Sequence, residues 1–283
     1  MEMSGQPVAT PAERYLDLLK HALAFTLWPE PLEPIDRFNA DRPFLKRTAV
    51  SLARRAAGLL GYQLARELKP TWQERRDGCI WPYYADTMMG LTRLDHLQHC
   101  VETVLREGIP GDLIETGVWR GGGCILMRGV LAAYDVADRK VFVADSFCGF
   151  PAIEAAQDAG DEPERFGSYI AVSESAVRDN FRRYGLLDDQ VVFLSGWFKD
   201  TLTSAPIEKL ALLRLDADMY GSTMDALTAL YPKLAPGGFC ILDDYGAIEA
   251  CKQAATDYRT AHGITADIHR IDWTGAYWRT PTA

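Results

Sequence analysis

The chain has 283 residues, 48% of them hydrophobic and 24% charged, which suits one large α/β domain with appended segments and falls short of two full-sized enzyme domains. Its formal net charge of -9 argues against nucleic-acid binding, which needs clustered Lys and Arg to neutralise phosphates. No apolar run approaches the roughly 18 residues of a membrane span, and the opening MEMSGQPVATPAERY lacks the apolar stretch of a signal peptide, so a cytoplasmic location is expected.

Residues 12–27 carry apolar side chains at helical spacing, Tyr15, Leu18, Leu19 and Ala22, and predict a first amphipathic helix. Pro29, Pro31 and Pro34 mark a connector after it. From Arg42 to Arg76 the chain turns basic. Nine Lys or Arg (Arg42, Lys46, Arg47, Arg54, Arg55, Arg66, Lys69, Arg75, Arg76) face only Glu67 and Glu74. The pattern is helical, with Leu45, Leu52, Leu59 and Leu60 available for one face. Such a helix can lie on a membrane surface, receive an anionic acceptor, or simply pack on the core as a solvated helix. Six cysteines, Cys79, Cys100, Cys124, Cys148, Cys240 and Cys251, show no C-x-x-C spacing, so reduced thiols are expected and no zinc site.

From Gly111 onward short β-rich runs alternate with helical ones, the pattern of a parallel sheet covered on both faces. The predicted strands are 112–116, 140–145, 191–195, 210–216 and 239–244, with helices at about 122–134, 174–184, 222–234 and 247–262 between and after them. Residues 267–272 and 276–279, joined at Thr274 and Gly275, predict a hairpin.

The run from Glu115 through Thr116, Gly117, Val118 and Trp119 to Gly121-Gly122-Gly123 follows a predicted strand and opens a helix. Its glycines let a ligand approach the backbone over the helix N-terminus. It is not G-x-G-x-x-G, and a carboxylate at Glu115 repels a pyrophosphate while suiting the ammonium and sulfonium of S-adenosylmethionine. A tight turn alone is the other reading. Asp145 ends the second predicted strand, where a carboxylate accepts both ribose hydroxyls of a nucleoside; with Ser146 beside it, it can equally be a cap. Trp197, in Gly196-Trp197-Phe198 after the third strand, can cover an adenine or serve as core or lid.

The fourth predicted strand ends in Asp216-Ala217-Asp218 and the fifth in Asp243-Asp244, so four acids meet at one sheet edge. Unpaired, they would repel and resist burial. A divalent cation resolves that conflict, and an all-oxygen set suits Mg²⁺, Mn²⁺ or Ca²⁺; capping of helices or pairing with Arg214 is the alternative. A cation also acidifies and orients a hydroxyl, which methyl transfer needs in line with the sulfonium carbon.

At these residues the chain resembles the macrocin O-methyltransferase family, sugar methylases of macrolide and aminocoumarin biosynthesis. The matching text includes TMMGLTRLDHLQ (87–98), IPGDLIETGVWRGGGCILMRG (109–129), LRLDADMYGSTMDAL (213–227) and LYPKLAPGGFCILDDYG (230–246), and covers essentially everything from residue 80 onward. The resemblance implies a class I S-adenosylmethionine-dependent methyltransferase fold, α/β and Rossmann-like, whose final strand inserts antiparallel. It also implies Mg²⁺ dependence and a sugar hydroxyl of a glycoside as acceptor. Carried over by position, Asp216, Asp243 and Asp244 are similar to the metal ligands and Asp218 to the catalytic base. Glu115, Thr116, Gly117, Val118, Trp119, Asp145, Ser146 and Trp197 are similar to the cofactor contacts, and Thr87 and Met88 to a segment that closes over the cofactor. The chain departs from the family's usual D-G-D at Ala217, and its basic stretch is longer, which brings a lipid-borne or larger glycan acceptor into view.

The expected division is an N-terminal helical extension or lid over 1–80 and a methyltransferase domain over 81–283. A homodimer is expected, as is a mobile lid over 151–172. A catechol-like phenol as acceptor, or an inactive nucleoside- or glycan-binding module, are the competing readings.

Overall fold

A computed structural model describes residues 9–35, 37, 43–159 and 169–282. Thr10 and Glu13 form a reciprocal capping box that starts α1 (Pro11–Leu23). Its buried stripe of Leu16, Leu19 and Leu23 faces the core. Leu19 lies directly over Gly129, where a Cβ would come within 2.4 Å of its Cδ2. The helix stops short of the expected residue 27, because Phe25 turns to a φ of 56°.

The connector pairs β1 (Glu33–Pro34) with β2 (Ala65–Arg66) antiparallel, and α2 (Phe44–Leu59) rises between them. The short α3 (Trp72–Arg76) then begins on a second capping box, Thr71 with Glu74. α4 (Leu91–Arg106) buries Leu91, Leu94, Leu97, Val101 and Val104. No helix is long and apolar enough to cross a membrane among the described residues.

The strands and helices then alternate: β3 (Asp112–Thr116), α5 (Gly122–Ala133), β4 (Val141–Asp145), α6 (Glu174–Arg183), β5 (Val191–Ser195) and the short α7 (Phe198–Thr201). After these come β6 (Leu210–Leu215), α8 (Tyr220–Leu230), β7 (Leu234–Leu242) and α9 (Glu249–Ala261), and the chain closes on β8 (His269–Arg270) and β9 (Ala276–Arg279). Seven strands form one sheet in the order β5-β4-β3-β6-β7-β9-β8. The first five are parallel; β9 runs antiparallel to β7, and β8 antiparallel to β9. This is the class I methyltransferase sheet, with the antiparallel insertion expected. One apolar layer, with Leu94, Ile125 and Phe181, fills one face, and Leu227, Tyr258 and Trp278 fill the other.

Chain order reverses between β3 and β6, so the helices of β3–β4 and β6–β7 leave on opposite faces and open a crevice at the strands' carboxyl ends. Every residue singled out at a strand end lies along that crevice or beneath it.

Candidate active site

The loop after β3 makes one wall. Gly117 has a φ of 80°, and a Cβ on it would fall 1.7 Å from the backbone oxygen of Asp216. Only glycine fits there, because the cofactor loop and the end of β6 touch backbone to backbone. Replacing Gly117 with Ala is therefore expected to cost about 2 to 4 kcal/mol of stability and to weaken S-adenosylmethionine binding at least about tenfold. Urea denaturation and calorimetry measure the two effects; a fully stable Gly117→Ala protein would contradict the packing.

Asp145 ties this loop to β4: one carboxylate oxygen accepts from Val118 N at 2.8 Å, the other from Phe147 N at 2.7 Å. It is a cap and also lines the cleft together with Ser146, Trp119 and Met88. Burial pushes the Asp145 carboxyl up, against the pull of the donated backbone N–H groups. Trp197 and Phe198 add an aromatic wall after β5. Thr87, in contrast, is buried against the start of α5, where a Cβ on Gly122 would come within 2.7 Å of its own Cβ.

Glu115 is placed differently from the sequence reading. It is 2% exposed, bonded to Arg214 and to the Cys124 thiol, and it lies under the loop rather than along the cleft; Thr116 is likewise buried. Burial raises the Glu115 carboxyl to about 7, with Arg214 acting in the opposite direction. It supports the loop from beneath.

The opposite wall holds the acids. Asp216 and Asp218 line the cleft, and Asp216, Asp218 and Asp244 each bring a carboxylate oxygen within 4.8 Å of the other two. Burial, then the neighbouring Asp243, raises Asp216 to about 6 despite Arg214. Burial, then Asp218, Asp216 and Asp243, raises Asp244 well above the carboxylate range. Oδ2 of Asp244 is buried with no hydrogen-bond partner. An orphaned carboxylate oxygen beside two further carboxylates is a donor set that fits a hard divalent cation.

Asp243 stands at the same edge but faces inward. Arg214 takes one of its oxygens and Arg93 the other, while Arg93 also meets Asp272 at 3.1 Å and Met88 O at 3.3 Å. Thr274 donates to Asp243 O at 2.8 Å. These arginines join α4, the acid edge and the terminal hairpin into one buried charge network. The sequence reading named Arg214 as a possible partner and passed over Arg93. Its signal was a cation at position 93 on the buried face shared by Leu97, Cys100 and Val104, which demands a buried anion.

Asp218 has a φ of 53°, and Met219 N reaches back to Ala217 O at 2.5 Å, closing a three-residue turn that presents the carboxylate. The left-handed residue is Asp218, so the alanine at 217 meets no conformational demand for glycine. His262 bonds and stacks on Tyr258, and His269 packs on Tyr277, so neither histidine enters the site. Of the expected lid, residues 160–168 lie outside the described residues. At its near end the buried Asp158 accepts from Tyr220 N at 2.6 Å and Gly221 N at 3.1 Å, joining it to α8. At its far end Tyr169 O accepts from Trp119 Nε1 at 2.9 Å.

The macrocin-O-methyltransferase (TylF) family profile matches residues 12–280. The chain is 55% identical over 212 residues to the mycinamicin III 3''-O-methyltransferase of Micromonospora griseorubida, covering 73% of this chain and 83% of the relative. It is also 55% identical over 218 residues to the 8-demethyl-8-(2,3-dimethoxy-alpha-L-rhamnosyl)-tetracenomycin-C 4'-O-methyltransferase of Streptomyces olivaceus, covering 76% and 83%. The solved structure of the O-methyltransferase NovP superposes with a TM-score of 0.81 at 43% identity, covering 95% of this chain and 99% of that one. With that match over nearly the whole chain, and with the cleft built at the sheet's switch point, the chain belongs to the macrocin-O-methyltransferase family of S-adenosylmethionine-dependent O-methyltransferases.

Proposed function

We propose that the enzyme methylates a hydroxyl on the sugar of a glycosylated natural product, with a divalent cation held at the acid edge. The observation that carries the cation is the Asp216, Asp218 and Asp244 cluster with its unpartnered Asp244 oxygen. The relatives support the acceptor class, since the primed locants in their names put the methylated oxygen on the glycosyl part of two different compounds. A cation bound there would lower the pKa of an acceptor hydroxyl and fix its oxygen.

The chain's own residues supply the rest. Asp216 and Asp244 would hold the cation through carboxylate oxygens, while both oxygens of Asp243 are engaged by Arg93 and Arg214. Asp218, on its turn at the cleft wall, takes the acceptor's proton as general base. Asp145, Ser146, Trp119 and Trp197 hold the nucleoside of the cofactor, and Met88 closes over it. Glu115 and Arg214 fix the loop between the two halves from below. Apolar residues on the lid side, Phe150, Pro151 and Ala152, narrow the cleft and limit water around the reacting centre.

The test is methyl transfer from labelled S-adenosylmethionine to a panel of deoxysugar glycosides and catechols, with Mg²⁺ or with EDTA. Glycoside methylation that EDTA abolishes is the expected result. Faster methylation of catechols overturns the acceptor class, and full activity in EDTA overturns the cation.

Cofactor binding is expected to survive chelation, because the nucleoside contacts lie after β3, β4 and β5 while the acids follow β6 and β7. Calorimetry in EDTA should return a dissociation constant for S-adenosylmethionine within about threefold of that in Mg²⁺, a difference below 1 kcal/mol. Complete loss of binding without metal contradicts the separation.

A further inference from the structure

The turn that presents Asp218 has little of its own to hold it. Asp218 stands at a φ of 53°, a left-handed backbone that a residue with a side chain keeps only where its surroundings impose it. The helix α8 begins two residues later, and its N-cap residue, Met219, makes no side-chain hydrogen bond to the first turn. The helix α6, in contrast, is capped by its own Ser173, which accepts from Ala176 N at 3.3 Å. Left without an acceptor, the leading amides of α8 would fray, and the 217–219 turn that feeds them would loosen with them.

The missing acceptor comes from more than 60 residues earlier in the chain. Ala156–Asp158 form a single 3₁₀ turn, and Asp158 is 1% exposed. Its Oδ1 accepts from Tyr220 N at 2.6 Å and its Oδ2 from Gly221 N at 3.1 Å. A buried carboxylate on two N–H groups at the positive end of a helix is a strong and directional contact. The neighbouring tie of the same stretch, Lys199 to Glu154 at 2.7 Å, joins two exposed side chains and contributes little. The hold of this stretch on α8 therefore rests on Asp158. Asp158 lines the cleft with Asp218, but both its oxygens are turned to α8, so it acts through the turn and not on the acceptor.

We propose that Asp158 is a positioning residue for methyl transfer. By capping α8 it holds the 217–219 turn, and with it the Asp218 carboxylate, in place at the cleft. This rests on the reading of Asp218 as the general base.

The test makes Asp158→Ala and Asp158→Asn in the full chain, each alone and in an Asp218→Asn background. Rates are measured on whichever glycoside or catechol of the panel wild type methylates fastest, with S-adenosylmethionine affinity from calorimetry. Asp158→Ala should lower kcat at least about tenfold, the scale of a misplaced reacting group, with cofactor affinity within about threefold of wild type. Asp158→Asn, whose amide oxygen still accepts one of the two bonds, should keep more of the rate. In the Asp218→Asn background the same Asp158→Ala change should cost less than about twofold, because no base is left to place. Hydrogen exchange, which needs no acceptor, should speed up at least about tenfold at the Tyr220 and Gly221 amides of Asp158→Ala and stay unchanged along β3 and β4. Wild-type kcat in Asp158→Ala overturns the proposal. So do losses that multiply in the double variant, unchanged exchange at Tyr220 and Gly221, or faster exchange throughout the sheet, which would make Asp158 a general stability element. Wild-type kcat in Asp218→Asn alone is a separate result, which overturns the base itself and the positioning role with it.

Discussion

Asp218→Asn is expected to lower kcat by about 10² to 10⁴, the loss that accompanies removal of a general base, while metal and S-adenosylmethionine affinities stay near wild type. Asp244→Asn should behave differently, with weaker metal binding and activity partly restored by excess Mg²⁺. An amide still offers an oxygen to a cation but cannot accept a sugar proton at neutral pH. The geometry makes this comparison sharp, because both carboxylates reach within 4.8 Å of Asp216 yet only Asp218 lines the cleft with it, while Asp244 keeps a buried, unpartnered oxygen. Activity of each variant measured against Mg²⁺ concentration separates the roles. Recovery of Asp218→Asn at high metal would make Asp218 a ligand and leave the reaction without its proposed base.

Arg214→Met is expected to destabilise the protein by about 3 to 5 kcal/mol, the usual consequence of removing one partner from a buried ionic network. Arg214 is 1% exposed and bonds Glu115, Asp216 and Asp243 together. Without it three carboxylates share one low-dielectric region with Arg93 as the cation that remains on Asp243, and protonation or local opening must relieve them. Urea unfolding at neutral pH checks the figure. A loss below about 1 kcal/mol would mean that water already reaches the network and screens it.

Most of the sheet was legible because short β-rich runs alternating with helical ones are a strong local signal: β3, β5 and β9 have the bounds read from sequence. β7 begins earlier than expected, at Leu234, since Pro236, Gly237 and Gly238 mask a strand that bends at a Gly237 φ of 79°. The helix over 91–106 drew no prediction, although its leucines recur at helical spacing; its polar face interrupts the apolar text with His, Gln and Thr. At the site, grouping the acids needed only strand ends. Their directions needed the register. Glu115 sits opposite Arg214 across β3 and β6, and Arg214 opposite Ile241, so Glu115 and Arg214 share a face and pair there. Nothing local to either residue tells that these two strands are neighbours. Asp243 turns inward for the same kind of reason, since one of its partners, Arg93, arrives on a helix from far earlier in the chain.

The position of β9 has a consequence for biosynthesis. β7 carries the Asp243-Asp244 end of the acid edge and is flanked in the finished sheet by β6 and β9, but β9 is translated well after it, beyond α9. Until β9 docks, the Phe239–Leu242 ladder has one open side, and Thr274 has not yet reached Asp243 O. An open apolar strand edge is a template for intermolecular pairing. A released chain truncated before Ala276 should therefore aggregate through β7, giving a lower soluble yield than the full chain.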